Sequence, residues 1–95
     1  MKEFLSIGTV VLLKGTSKKI MIIGRVQICE KKAYHYSGVL YPEGYVGKDA
    51  LYVFNEEDIE QVFHRGMEGE EEDACQKRLY EKLNYIENLK KSREE

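Results

Sequence analysis

A chain of 95 residues, 42% hydrophobic and 34% charged, makes one soluble folded domain with little spare volume for a cofactor cavity. Fifteen basic against seventeen acidic side chains leave a net charge of -2, which weighs against general electrostatic attachment to nucleic acid or an anionic membrane. Two cysteines are too few for a disulfide scaffold, no apolar run approaches about 18 residues, and residues 1–5 carry no signal-peptide core, so a cytoplasmic protein without a membrane span is expected.

Residues 9–14 are short and rich in β-branched side chains, which predicts a first strand, and Gly15-Thr16-Ser17 is a turn cluster. Residues 20–28 predict a second strand with Ile20, Ile22, Val26 and Ile28 on one face. Gly24 falls on that face and marks a bulge or tight bend. Glu30-Lys31-Lys32 is a polar hairpin tip. Residues 33–41 predict a third strand, with Gly38 as a flexible point. Tyr41-Pro42-Glu43-Gly44 fits a type I turn, and residues 51–54 a fourth, short strand. Asn55 caps a single helical turn that leads to a fifth strand over 61–65. Alternation along these strands predicts Val10, Leu12, Ile22, Val26, Leu51, Val53 and Val62 as core.

Past a glycine-rich joint at 66–69 the apolar spacing turns helical. Cys75, Leu79, Leu83, Ile86 and Leu89 form one stripe over a helix predicted at 71–91. Acids at 70–73 and the cations Lys90, Lys91 and Arg93 suit the helix dipole, and Glu87–Lys91 is an i,i+4 pair. No helix of useful length separates the strands, so the sheet is antiparallel. The expected fold is α+β, mostly β: a small five-stranded antiparallel SH3-like barrel over 1–67 with a C-terminal amphipathic helix over 68–95. That helix either completes the same domain or serves as a partner-binding arm.

The residue types that carry chemistry are scattered. His35, His64, Cys29 and Cys75 have no metal-ligand spacing, and the 44–48 loop lacks the spacing of a phosphate loop. Cys75 on the stripe reads as a small hydrophobe and Glu56-Glu57-Asp58 as a solvated capped turn. No catalytic residue, metal or cofactor is expected. Small barrels with aromatic strands can stack bases, but residues 1–67 hold nine basic against eight acidic side chains and no basic stripe.

The tyrosines suit protein binding better. Tyr34 and Tyr36 share one face of the third strand and His35, Ser37 and Tyr41 the other, so one face presents aromatic surface. Tyr41, Glu43 and Tyr45 surround a proline–glycine turn, with Tyr34 or Tyr36 beside them. The rival surface is the helix stripe Leu79, Leu83, Ile86 and Leu89.

Residues 7–15, 21–25, 36–47 and 54–62, above all Tyr41-Pro42-Glu43-Gly44 and the Gly24-Arg25 pair, resemble a family of small bacterial proteins of unknown function. That family occurs mainly in Gram-positive bacteria, its genes beside type VII secretion components and LXG-type toxins. The resemblance covers about residues 4–67 and assigns no catalytic residue. It implies an accessory role, as chaperone or adaptor for a secreted toxin. The alternatives are an immunity protein that neutralises a cognate toxin and a small barrel that binds nucleic acid.

Overall fold

The computed structural model describes residues 3–94, with the side chains of Lys48 and of residues 90–94 left aside. The Lys48, Lys90, Lys91 and Arg93 charges and the Glu87–Lys91 pair therefore lie outside the described residues. Five strands, β1 (Val10–Leu13), β2 (Lys19–Cys29), β3 (Lys32–Leu40), β4 (Tyr52–Phe54) and β5 (Ile59–His64), precede one helix, α1 (Glu70–Glu94). Every strand pair is antiparallel and the order is β4-β3-β2-β1-β5.

The sheet is not closed into a barrel. β4 and β5 lie at opposite edges and do not pair among the described residues. β4 has three residues, too few to reach across to another edge. Instead α1 lies against one face. Phe4, Leu5, Val11, Ile20, Ile22, Val26, Tyr36 and Phe54 form the core, and Leu79, Tyr80, Leu83 and Ile86 of α1 pack on it. At about 1.5 Å per residue the 25-residue helix is roughly 37 Å long, so its last turns extend past this contact and leave Leu89 exposed.

Three local irregularities explain where the buried set differs from simple alternation. In β2 the register against β3 shifts between Ile22 and Gly24, which places the bulge where the interior glycine indicates. Two residues on, Val26 has φ 50°. A β-branched residue there costs about 1–3 kcal/mol and breaks alternation, so the neighbours Arg25 and Val26 both turn inward. In β5 the register against β1 shifts twice, so Val62 and Phe63 are both exposed.

The predicted core accordingly needs correction. Val10, Ile22 and Val26 are buried, Leu12 and Val53 are half-buried, and Leu51 and Val62 are exposed. Ile28 is exposed at the β2–β3 tip, where Glu30 and Lys31 both adopt the left-handed backbone of a two-residue hairpin turn. β3 has no exposed aromatic face over 36–39, because Tyr36, Ser37, Gly38 and Val39 are all buried.

Of two further turns, the first differs from expectation, while the second forms at 56–58 with Asn55 as its N-cap, as expected. The Tyr41–Pro42 bond is cis, and the Gly44 N–H donates to Leu40 O at 2.7 Å, so this is a wider turn than type I. Residues 56–58 form a 3-10 turn in which the Asp58 carboxylate accepts the Asn55 N–H at 2.9 Å. Asn55 Oδ1 accepts the His35 N–H of β3 at 3.0 Å, while His35 Nδ1 accepts the Glu56 N–H at 2.9 Å. That reciprocal pair ties the turn to the sheet.

Gly66 is a point of close approach rather than a loose joint. A Cβ added there would sit 1.9 Å from Ile7 O, and the Gly66 N–H donates to Thr9 Oγ1 at 3.1 Å. The obstructing atoms, of Ile7 and Gly8, are all backbone. Gly66→Ala is expected to lower stability by about 1–3 kcal/mol, and Ile22→Ala by about 2–5 kcal/mol, in urea denaturation followed by circular dichroism.

Candidate functional site

Two clusters could carry function, one buried between sheet and helix and one exposed on the sheet's loops. The buried cluster begins at Arg25. Its Nη2 donates to Glu72 Oε1 at 2.8 Å and contacts Cys75 Sγ at 3.4 Å, and its Nη1 donates to the second Glu72 oxygen and to Leu5 O at 3.3 Å. The Arg25 side chain is 6% exposed and that of Glu72 14%. Burial opposes the Arg25 charge, but the Glu72 hydrogen bonds and charge outweigh it and hold the guanidinium pKa above its ordinary value. The same hydrogen bond holds the Glu72 carboxyl below the usual carboxylate range.

Gln76 lies one turn on along α1. Its side-chain amide accepts the Phe4 N–H at 2.9 Å and donates to Phe4 O at 2.6 Å. The Leu5 N–H donates to the Tyr36 hydroxyl at 2.8 Å, and that hydroxyl donates to Glu56 Oε2. Burial, then the bond to Glu56, pushes the Tyr36 phenol well above its ordinary value. The N-terminal segment at Phe4–Leu5 is thus held from both sides, by α1 and by β3. Arg25, Glu72, Tyr36 and Glu56 engage one another and the backbone, and no buried side-chain polar atom among the described residues lacks a partner. This cluster is a structural clamp.

The exposed cluster centres on the loop after β3. The Tyr41 N–H donates to Lys19 O at 2.9 Å and fixes the start of the loop to β2. Glu43 pairs with Lys18 at 2.7 Å, and that hydrogen bond lowers the Glu43 pKa. Between these anchors and the 3-10 turn at 48–50, Tyr41, Tyr45 and Val46 project into solvent, the last two 62% and 69% exposed. Tyr41 also lines a shallow groove of about 520 Å³ with Gly8, Val10, Lys19, Met21, Phe63 and His64. Lys19 Nζ stands 4.8 Å over the Phe63 ring, a cation–π contact at the groove wall.

The predicted surface residues therefore separate. Tyr41, Glu43 and Tyr45 come together. Tyr34 is half-buried elsewhere on β3, with Lys32 Nζ 5.6 Å over its ring. Tyr36 is wholly buried and presents no surface, because its hydroxyl is needed inside the clamp. Leu79, Leu83 and Ile86 pack on the chain's own core, and Leu89 lies beyond it. Val46 and Phe63 join the exposed surface, and half-buried Met21 the groove wall, without a sequence signal, since only the strand registers and the loop's path bring them there. Cys29 and Cys75 are free thiols, the first exposed and the second half-buried beside Arg25. Among the described residues no His, Cys, Asp and Glu cluster is built to hold a metal, and no helix is long and apolar enough to cross a membrane.

Fold and surface define a small open-sheet module with a docked helix and an exposed aromatic loop. The chain belongs to the family described as domain of unknown function DUF4176, which matches residues 4–75. The matched stretch is longer than the sequence resemblance and takes in both Arg25 and Glu72. No curated protein and no solved structure matches the chain.

The clamp has a pH signature at each end of the scale. Glu72, held below its unfolded pKa of about 4.3, contributes stability that is present above that pH and lost as pH falls through the folded value. Tyr36, held above its unfolded pKa of about 10, contributes stability that is present below that pH and lost as pH rises. Glu72→Gln is expected to flatten the acid limb of a melting-temperature profile, and Tyr36→Phe the alkaline limb. Tyr36→Phe should also cost about 1–3 kcal/mol near neutrality, because Leu5 and Glu56 lose their shared partner. Profiles that superimpose on wild type would show that the clamp does not bear on folding.

Proposed function

We propose that the chain is a non-enzymatic protein-binding accessory module that works in the cytoplasm as a chaperone or adaptor for a toxin of the type VII secretion system. The observation that carries the binding role is the Tyr41–Val46 loop. It exposes two tyrosines and a valine on a backbone braced by the Tyr41–Lys19 hydrogen bond and the Glu43–Lys18 pair. Such aromatics supply large contact area at low entropic cost, and bracing reduces what binding must order. The groove beside Tyr41 extends the apolar contact to Met21 and Phe63, and Lys19 and His64 give it a polar rim.

The toxin partner rests on the resemblance of residues 7–15, 21–25, 36–47 and 54–62 to proteins encoded beside LXG toxins. The absence of a catalytic role is supported by the engagement of Arg25, Tyr36, His35, Glu56 and Glu72 in structural hydrogen bonds. The helix stripe is the weaker binding surface, since Leu79, Leu83 and Ile86 already pack on the sheet.

Two double variants test the assignment. Tyr41→Ala with Tyr45→Ala is expected to keep wild-type circular dichroism and to weaken capture of an LXG toxin's N-terminal region by roughly 30-fold, the loss of about 2 kcal/mol. Leu83→Asp with Ile86→Asp is expected to unfold the protein. A tyrosine variant that binds like wild type, with a helix variant that folds and fails to bind, would move the interface to α1. Selective capture of the toxin's C-terminal domain would replace the adaptor reading with immunity.

A further inference from the structure

The sheet has a second face, turned away from α1. Partners across an antiparallel ladder point their side chains to the same face. Val11 pairs with Ile20, and both lie in the core on which α1 packs. Their neighbours along each strand therefore point the other way. Val10 stands opposite Met21 of β2 and His64 of β5, and Leu12 stands opposite Lys19 and Gln61. The open face of an antiparallel sheet is ordinarily polar. Here Val10 floors a groove of about 520 Å³. Half-buried Met21 forms part of its wall, with Phe63 and Tyr41, which are 45% and 46% exposed.

Three features define what fits this face. The first is charge. The groove is lined by Lys19 and His64 and by no carboxylate, in a chain with seventeen acids. The Lys19 ammonium stands 4.8 Å over the Phe63 ring, and an imidazole keeps at least one N–H to donate. Glu43, on the loop that begins at Tyr41, is already paired with Lys18. The rim therefore offers positive charge and donors, which complement carboxylates on an occupant. The second feature is width. β2, β1 and β5 are adjacent, and three strands at about 4.8 Å spacing span about 10 Å, the diameter of one helix. The third is the condition of the edge. Two register shifts bend β5, a device that blunts an edge against the addition of an extended strand.

We propose that this face takes an acidic amphipathic helix of a partner protein, with its apolar stripe against Val10, Met21 and Phe63 and its carboxylates beside Lys19 and His64. The sheet is then held between two helices, its own on one face and the partner's on the other. The inference rests on the reading that the groove beside Tyr41 binds protein, and it names the chemistry of the segment bound.

Selection from random peptides of about 18 residues, long enough for a helix of about 27 Å, on the immobilised full chain tests it without the toxin. The expected result is enrichment of peptides with apolar residues at helical spacing and carboxylates beside them. These peptides gain helical circular dichroism on binding and shift the amide resonances of Val10, Lys19, Met21 and Phe63. Lys19→Glu is expected to weaken a selected peptide by about five- to tenfold at low salt, and less at high salt. Phe63→Asp is expected to weaken it about tenfold. Circular dichroism checks that both variants fold, and exposed Lys19 decides if Phe63→Asp does not. Enriched peptides that are basic or extended, or that shift resonances elsewhere, overturn the proposal. So does a selection that enriches nothing, or an affinity that ignores Lys19→Glu. Capture of the toxin's N-terminal region is scored separately. A selected acidic helix without toxin capture removes the adaptor reading alone, and toxin capture without such a helix on this face removes this inference alone.

Discussion

A buried guanidinium sets the arrangement of this molecule. Arg25 reaches from β2 to α1 with almost no exposure to water, and a lone charge there would cost several kcal/mol. Glu72 neutralises it through two hydrogen bonds, and Leu5 O takes a third. Arg25 and its two partners come from the sheet, the start of the helix and the N-terminal segment. Satisfying one charge therefore fixes three parts of the chain. Gln76 and Tyr36 extend the same logic to the backbone of Phe4 and Leu5, which would otherwise be buried without partners. The apolar contacts of Phe4 with Tyr36 and Tyr80 fill the space between these polar ties.

Much of the fold is legible in the sequence because it depends on local pattern. Five strands, the antiparallel sheet and the long helix follow from short apolar runs and from the 4-4-3-3 spacing of the stripe. The bulge at Gly24 is legible as well, since a glycine inside an apolar strand often marks one. What escapes is what distant residues decide. Tyr36 reads as a surface aromatic until Leu5 and Glu56 are placed around its hydroxyl. Phe4 lies in no periodic segment and yet sits in the core. Gly38 reads as a flexible point, but a Cβ there would press on Ile20 Cγ2 at 2.5 Å and Met21 O at 2.7 Å, so its role is space. Barrel closure depends on strand length and curvature, and the three residues of β4 fall short.

The candidate surface shows the same division. Tyr41, Glu43 and Tyr45 are legible together because a turn sequence carries them. Phe63 and Met21 join Tyr41 only through the β1–β2 and β1–β5 registers, which nothing in a single sequence records. The helix stripe is readable as apolar but not as internal, since its spacing is the same whether the sheet or another protein covers it. Once the sheet covers them, Leu79, Leu83 and Ile86 belong to the chain's own core.

The clamp also bears on how the chain is completed during synthesis. Phe4 is made before the sheet, and its partner on the helix, Gln76, follows 72 residues later. A ribosome adding on the order of 5–20 residues per second exposes the whole sheet before Glu72 and Gln76 are available. During that interval Arg25 has no carboxylate and the helix-facing side of the sheet is open to water. The nascent domain therefore passes through a stage in which its strands are present and its core is unsealed. Synthesis of the helix, rather than of the strands, therefore completes the core.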